Sequence, residues 1–215
     1  MTVVPLERRT TVDVLVDALR TRILDGDLAG GERLVEQELT RTYDVARHTA
    51  RAALRALQAE GLVTVEAHRG ARVASLDADA VRGLYELRAA LEVEAARLAL
   101  LRHDGRLPGA VHQAVTKLAR VCDRARPRWS AVVDAHDAVH AALVAASESP
   151  RIVAAHRALN GEMRLFLIQL RPAWTLRRMA ADHERLVREL EQRGAEALRD
   201  HLRESTAAVL SLLED

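Results

Sequence analysis

LRTRILDGDLAGGERLVEQELTRTYDVARHTARAALRALQAEGLVTVEAHRGARVA, residues 19–74, changes its hydrophobic period once, and that change decides the fold of the N-terminal part. Upstream, Val12, Leu15, Val16, Leu19 and Ile23 recur at three- and four-residue steps, which predicts an amphipathic helix over Thr10–Leu24 ended by Asp25-Gly26. A second short helix is expected from Val35 to Tyr43, with Leu39 inward. Asp44-Val45 makes a tight connection to a third helix, about Arg47–Glu60, with Ala50, Ala53, Leu54 and Leu57 inward and Gly61 as its stop. The period then shortens to two. LVTV (62–65), the turn EAHRG (66–70) and ARVA (71–74) predict a small hairpin.

Two helices joined by a short turn, the second opening with Arg47, His48, Thr49 and Arg51, have the layout of a helix-turn-helix reader. Arginine at the start of such a helix can fork onto guanine or clamp phosphate, and the helix dipole adds attraction for the DNA backbone. The hairpin loop, with His68, Arg69 and Gly70, forms a wing placed to reach an adjacent groove. The charge pattern agrees: residues 41–73 hold six arginines against three acids, although the whole chain carries only +1. The bland alternative is that Arg51 and Arg55 form a solvated stripe at i, i+4 spacing.

The whole stretch resembles, in a gap-free register, the winged helix-turn-helix of the GntR family of bacterial transcription regulators. Its EGLV (60–63) and the wing glycine fall where that family has them. The resemblance implies that Arg47 is the recognition arginine, that Arg51 is the arginine of the family's VREAL, and that Arg69-Gly70 is the wing. Departures cluster in the recognition turn, where Ala46 replaces serine, His48-Thr49 replaces Thr-Pro and Ala52 replaces glutamate. Without the serine hydroxyl the third helix lacks an N-cap worth ~1 kcal/mol.

Beyond Ser75 the chain reads as helical to its end. Gly105, Pro108, Pro127, Pro150, Pro172 and Gly194 divide it into six helices near 78–103, 108–124, 128–147, 150–171, 173–192 and 195–213. Their short connections make neighbours antiparallel. The expected architecture is mostly α: a winged helix-turn-helix over 1–75 and an all-α six-helix bundle over 76–215. Only 2% of residues are aromatic, so alanine, leucine and valine must build the core, which favours helices.

Seven of the nine histidines lie in this second region. His136 and His140, within DAHDAVHAAL (134–143), are i, i+4, so both rings share one helix face at a spacing that lets two imidazoles meet one ion. His183 sits near Leu186 and Leu190, and His201 beside Leu198 and Leu202, on faces that can converge with the first pair. YELRAALEVEAARLAL (85–100), HAALVAASESP (140–150) and DHERLVRELEQRGAEALRDHL (182–202) look like the FCD ligand-binding domain of the FadR-type branch of GntR regulators, in its shorter, six-helix, VanR-like variety. Many such domains hold a divalent metal through an aspartate and three histidines, and the metal helps bind a small carboxylate. Mapped here, the histidines are His140, His183 and His201, and the aspartate position falls on His136. Asp137, one residue on, is the alternative fourth ligand, and Asp134 is poorly placed. Four imidazoles would favour zinc or nickel over manganese or magnesium. The resemblance also matches Arg88 and Glu92 to the family's R..LE. Arg88 then either forks onto an effector carboxylate or pairs locally with Glu92.

The expected protein is therefore a homodimeric, metal-containing transcription regulator that binds a double-stranded DNA operator and responds to a small organic acid. A helical metalloenzyme explains the histidines but leaves residues 19–74 without a role, and no HExxH supplies its general base. A metal-free regulator whose histidines bind effector directly is the third possibility. The single cysteine, Cys122, excludes an intramolecular disulfide and fits a cytoplasmic setting. No apolar run of ~18 residues predicts a membrane span.

Overall fold

The computed structural model describes residues 9–66, 70–171 and 174–214, and it divides into two compact units, Met1–Ser75 and Leu76–Asp215. In the first, α1 (Thr11–Asp25) starts with a reciprocal cap. Thr10 Oγ1 accepts from the Asp13 amide at 3.2 Å while the Asp13 carboxylate accepts from the Thr10 amide at 2.8 Å. The helix ends at Gly26, whose left-handed φ of 84° lets its amide return to Arg22 and Ile23 carbonyls. Next come β1 (Arg33–Leu34), α2 (Glu36–Tyr43) and α3 (Arg47–Ala59), followed by β2 (Val63–Glu66) and β3 (Gly70–Val73). Asp44, at φ 50°, turns the chain from α2 into α3.

The inward faces agree with the sequence pattern: Leu15, Leu19, Ile23, Leu39, Ala50, Ala53, Leu54 and Leu57 are all buried. Arg20 adds a two-pronged bridge from α1 to the end of α3, its Nε donating to Glu60 Oε2 at 2.7 Å and its Nη2 to Oε1 at 2.6 Å. The sheet is antiparallel with order β1-β3-β2 and pairs Val63 with Val73 and Glu66 with Gly70. The two-residue β1 was not expected, because two residues are too few to show an alternating pattern.

In the second unit, α4 (Ala78–Arg88) runs through a π-helical turn (Ala89–Val93) into α5 (Glu94–Arg102). Then follow α6 (Gly109–Cys122), α7 (Trp129–Ala145), α8 (Pro150–Arg157), α9 (Asn160–Leu170), α10 (Leu176–Arg193) and α11 (Glu196–Glu214). The single helix expected over 150–171 is broken. The Ala158 and Leu159 amides bond only three residues back, to Ala155 and His156, tightening the chain just before the weak helix formers Asn160 and Gly161. Hydrophobic spacing continues across such a turn and does not reveal it. α7 packs against α6, α5, α8 and α9, while α10 rests on α6 and α11, so α7 and α10 stand inside the bundle. Leu118, Leu143, Met163, Leu167, Met179 and Leu190 are almost wholly enclosed there.

Candidate functional site

α3 exposes Arg47, His48 and Arg51, whereas Thr49, expected on the same surface, is 7% exposed and turned into the unit. Thr49 adjoins the other three in sequence, but a 100° step per residue carries it round to the buried side with Ala50 and Ala53. Ala46 occupies the extended N-cap geometry and offers no side-chain bond, as its missing hydroxyl requires. His68 and Arg69 lie outside the described residues. Gly70 opens β3 at φ 83°, a left-handed conformation that glycine adopts without a Cβ penalty.

Two features of this surface were not read from the sequence. Arg51 forks onto Glu36, Nε to Oε1 and Nη2 to Oε2, both at 2.9 Å, and the bond holds the Glu36 carboxyl below its usual range. Arg33 of β1 stands directly opposite Arg72 of β3, both exposed. Like charges facing across a ladder repel unless an anion sits against them. Arg33, Arg51 and Arg55 also line one groove with Gly70 and with Glu36, the carboxylate that Arg51 holds. The unit thus presents a concentrated basic surface suited to phosphate.

The second constellation lies within the bundle. α7 directs His136 and His140 to its buried face with Val132, Val133, Val139 and Leu143. α10 brings His183 among Met179, Leu186 and Leu190, and α11 brings His201 among Leu198 and Leu202. Their exposures are 5%, 1%, 0% and 7% in that order. Ring centroids are 4.7 Å apart for His136–His140, His136–His183 and His183–His201, and 5.8 Å for His140–His201. One nitrogen from each of His136, His140 and His183 lies within 4.8 Å of the other two, with His201 stacked edge-on to His183 beside this group.

The proton positions follow from the partners. His183 Nδ1 donates to the Met179 carbonyl at 2.8 Å, and His140 Nδ1 donates to Glu92 Oε2 at 2.7 Å. In the neutral form of both rings the Nε2 atoms carry lone pairs, and they face each other at 3.4 Å. Two imidazole nitrogens on one tetrahedral ion with bonds of ~2.1 Å are separated by ~3.4 Å. His136 Nδ1 is a third buried nitrogen, with no hydrogen-bond partner. Burial first, and then the neighbouring imidazoles, push His136, His183 and His201 well below the ordinary histidine range, so they are neutral at pH 7 and free to coordinate. These donors fit a divalent transition metal.

The two aspartates of DAHDAVHAAL both lie against Arg164, Asp137 with its Oδ1 also 3.9 Å from His136 Nδ1. Asp134 accepts from Arg164 Nη2 at 2.6 Å, and Asp137 Oδ2 lies 3.0 Å from Arg164 Nε. That approach to Asp137 has ion-pair distance without hydrogen-bond direction, and burial pushes its carboxyl up to about 6 against the pull of Arg164. Arg88 is 3% exposed: its Nε donates to Glu92 Oε1 at 2.8 Å and its guanidinium stands 5.7 Å from the Phe166 ring centroid. Glu92, read from the sequence only as a local partner of Arg88, also accepts from His140 across 48 positions of chain. Helical spacing shows the first contact and is blind to the second.

Residues 11–73 match the family described as bacterial regulatory proteins, gntR family, and residues 83–208 match the FCD domain. The HTH-type transcriptional regulator BphR of Paraburkholderia xenovorans (strain LB400) is 30% identical over 211 residues, covering 94% of this chain and 86% of BphR. A GntR transcriptional regulator from Rhodococcus sp. RHA1 superposes with a TM-score of 0.72 at 24% identity, over 93% of this chain and 97% of its own. A GntR family member from Pseudomonas syringae pv. tomato str. DC3000 is 30% identical with a TM-score of 0.51, over 94% and 86%. The families and relatives matched are transcription regulators, which sets aside the enzyme alternative. The chain belongs to the gntR family of bacterial regulatory proteins, as a DNA-binding transcription regulator with an FCD domain.

Proposed function

We propose that the C-terminal unit senses a small carboxylate metabolite through a divalent metal held by His136, His140, His183 and His201, and that it dimerises the chain on a palindromic operator. The observation that carries the metal is the pair of facing Nε2 lone pairs at 3.4 Å, which repel unless a cation or proton lies between them. An all-imidazole set favours zinc or nickel. His136 takes the fourth position in preference to Asp137 because its ring stands 4.7 Å, centroid to centroid, from both His140 and His183, while Asp137 lies 3.0 Å from Arg164 Nε. A metal held there would supply positive charge for an effector carboxylate, a role for which Arg88, paired here with Glu92, is the second candidate. Elemental analysis of untagged protein decides: stoichiometric metal lost in His140→Ala and His183→Ala supports the site, and metal-free wild type supports direct effector binding by the histidines.

On DNA, Arg47, His48 and Arg51 enter the major groove with Thr49 buried beneath them, and His68, Arg69 and Gly70 form the wing. Two recognition helices must stand about one DNA turn (~34 Å) apart, which calls for a homodimer. Anisotropy titrations on fragments of the chain's own promoter test this assignment. Salt-sensitive binding that depends on Arg51 is expected, and binding indifferent to Arg51→Ala overturns it.

A further inference from the structure

The bundle encloses the Glu92 carboxylate completely. Glu92 is 0% exposed and sits in the π-helical turn that interrupts the first long helix of the unit. Its two oxygens have separate duties: Oε1 accepts from Arg88 Nε at 2.8 Å, and Oε2 accepts from His140 Nδ1 at 2.7 Å. His156 Nε2 lies 3.4 Å from Oε1 without hydrogen-bond direction. A buried charge persists only where it is compensated, and Arg88 supplies the compensation while pinning the carboxylate in place.

A neutral imidazole carries one proton, and its site is chosen by the hydrogen bond the ring makes. Free histidine favours the proton on Nε2, the nitrogen that His140 turns toward His183. A proton there would block that nitrogen as a ligand. Accepting from Nδ1 does the reverse: it keeps the proton on the far side and leaves the Nε2 lone pair aimed at the cluster. His183 is set in the same way by the Met179 carbonyl.

We propose that Glu92 is the positioning residue of the histidine cluster, fixing His140 in the Nδ1–H tautomer and in the ring orientation that makes Nε2 a ligand. The inference rests on the reading of the cluster as a metal site. Carboxylates in this position beside a ligating imidazole typically carry 10- to 100-fold of metal affinity.

The test uses the full-length, untagged protein and Co²⁺ as probe. Long-range ¹H–¹⁵N correlation spectra of metal-free wild type, assigned with His140→Gln and His183→Gln, are expected to show both rings with the proton on Nδ1. Glu92→Gln keeps an acceptor oxygen without the charge. Arg88→Met/Glu92→Leu removes both charges, so that no unpaired buried ion remains. In the double variant His140 loses its Nδ1–H preference while His183 keeps it, and Co²⁺ dissociation constants rise roughly 10- to 100-fold, with Glu92→Gln between the two. DNA anisotropy and thermal melting report that each variant is folded. A wild-type His140 protonated on Nε2, or a folded double variant with unchanged Co²⁺ affinity, overturns the proposal. If the double variant does not fold, the wild-type tautomer decides. If wild type takes no Co²⁺, the metal reading fails separately, and the His140 tautomer still reports whether Glu92 sets the ring.

Discussion

Arg51 shows how a single side chain can be occupied twice. In the free protein its fork rests on Glu36, and any DNA contact must exchange a carboxylate for a phosphate or a guanine edge. Arg51→Ala is expected to cost about 1–3 kcal/mol of operator affinity if it reads a base. Glu36→Gln, which removes the competing charge, should tighten DNA binding at fixed salt. Weaker binding by Glu36→Gln in anisotropy titrations would instead make Glu36 an orienting partner. Cys122 is a different case, a free and buried thiol. Burial pushes its thiol up to about 11, so the folded protein should resist iodoacetamide at pH 8 and react promptly once unfolded in urea. Mass spectrometry after timed quenching reads both rates.

At the level of elements, α3 begins without a cap although its backbone is already arranged for one: Ala46 is extended at φ −68°, ψ 151°. Ala46→Ser should therefore supply the missing acceptor and raise stability by about 0.5–1 kcal/mol, visible as a higher urea midpoint at unchanged slope. Gly194 between α10 and α11 poses the converse test. Its φ of 78° and ψ of −166° lie where side chains are rarely tolerated, yet a Cβ there would meet nothing within 4 Å. Gly194→Ala should cost about 1–3 kcal/mol through backbone strain alone. A neutral result in thermal or urea melts would show that the α10–α11 turn relaxes. The π-helical turn at Ala89–Val93 belongs to this scale too, because it is the local irregularity that carries the enclosed Glu92.

For the molecule as a whole, metal and folding are expected to be linked. A metal that binds only the folded bundle stabilises it by RT ln(1 + [M]/Kd), about 2.7 kcal/mol at a hundredfold excess over Kd. EDTA should accordingly lower the melting temperature of wild type and leave His140→Ala unmoved. Equal shifts in both would place the chelator's effect elsewhere. Light scattering is expected to give twice the 23.7 kDa chain mass, since one chain presents one recognition helix.

The sequence by itself determined the local elements. The change of period after Gly61 marked the wing, and the run of helical spacing marked the bundle. His136 and His140 were legible as a pair because four residues on a helix make one turn, whatever surrounds them. The same geometry, applied only as proximity, placed Thr49 on the outer surface when its turn of the helix faces inward. What only the tertiary structure decided is which faces meet. His183 reaches His140 across 43 positions, Glu92 reaches it across 48, and Arg33 meets Arg72 through a strand two residues long. Periodicity encodes the side of an element that is buried, but the partner on that side is chosen by packing of the whole chain. The roles of Glu92 and Glu36 are properties of that packing.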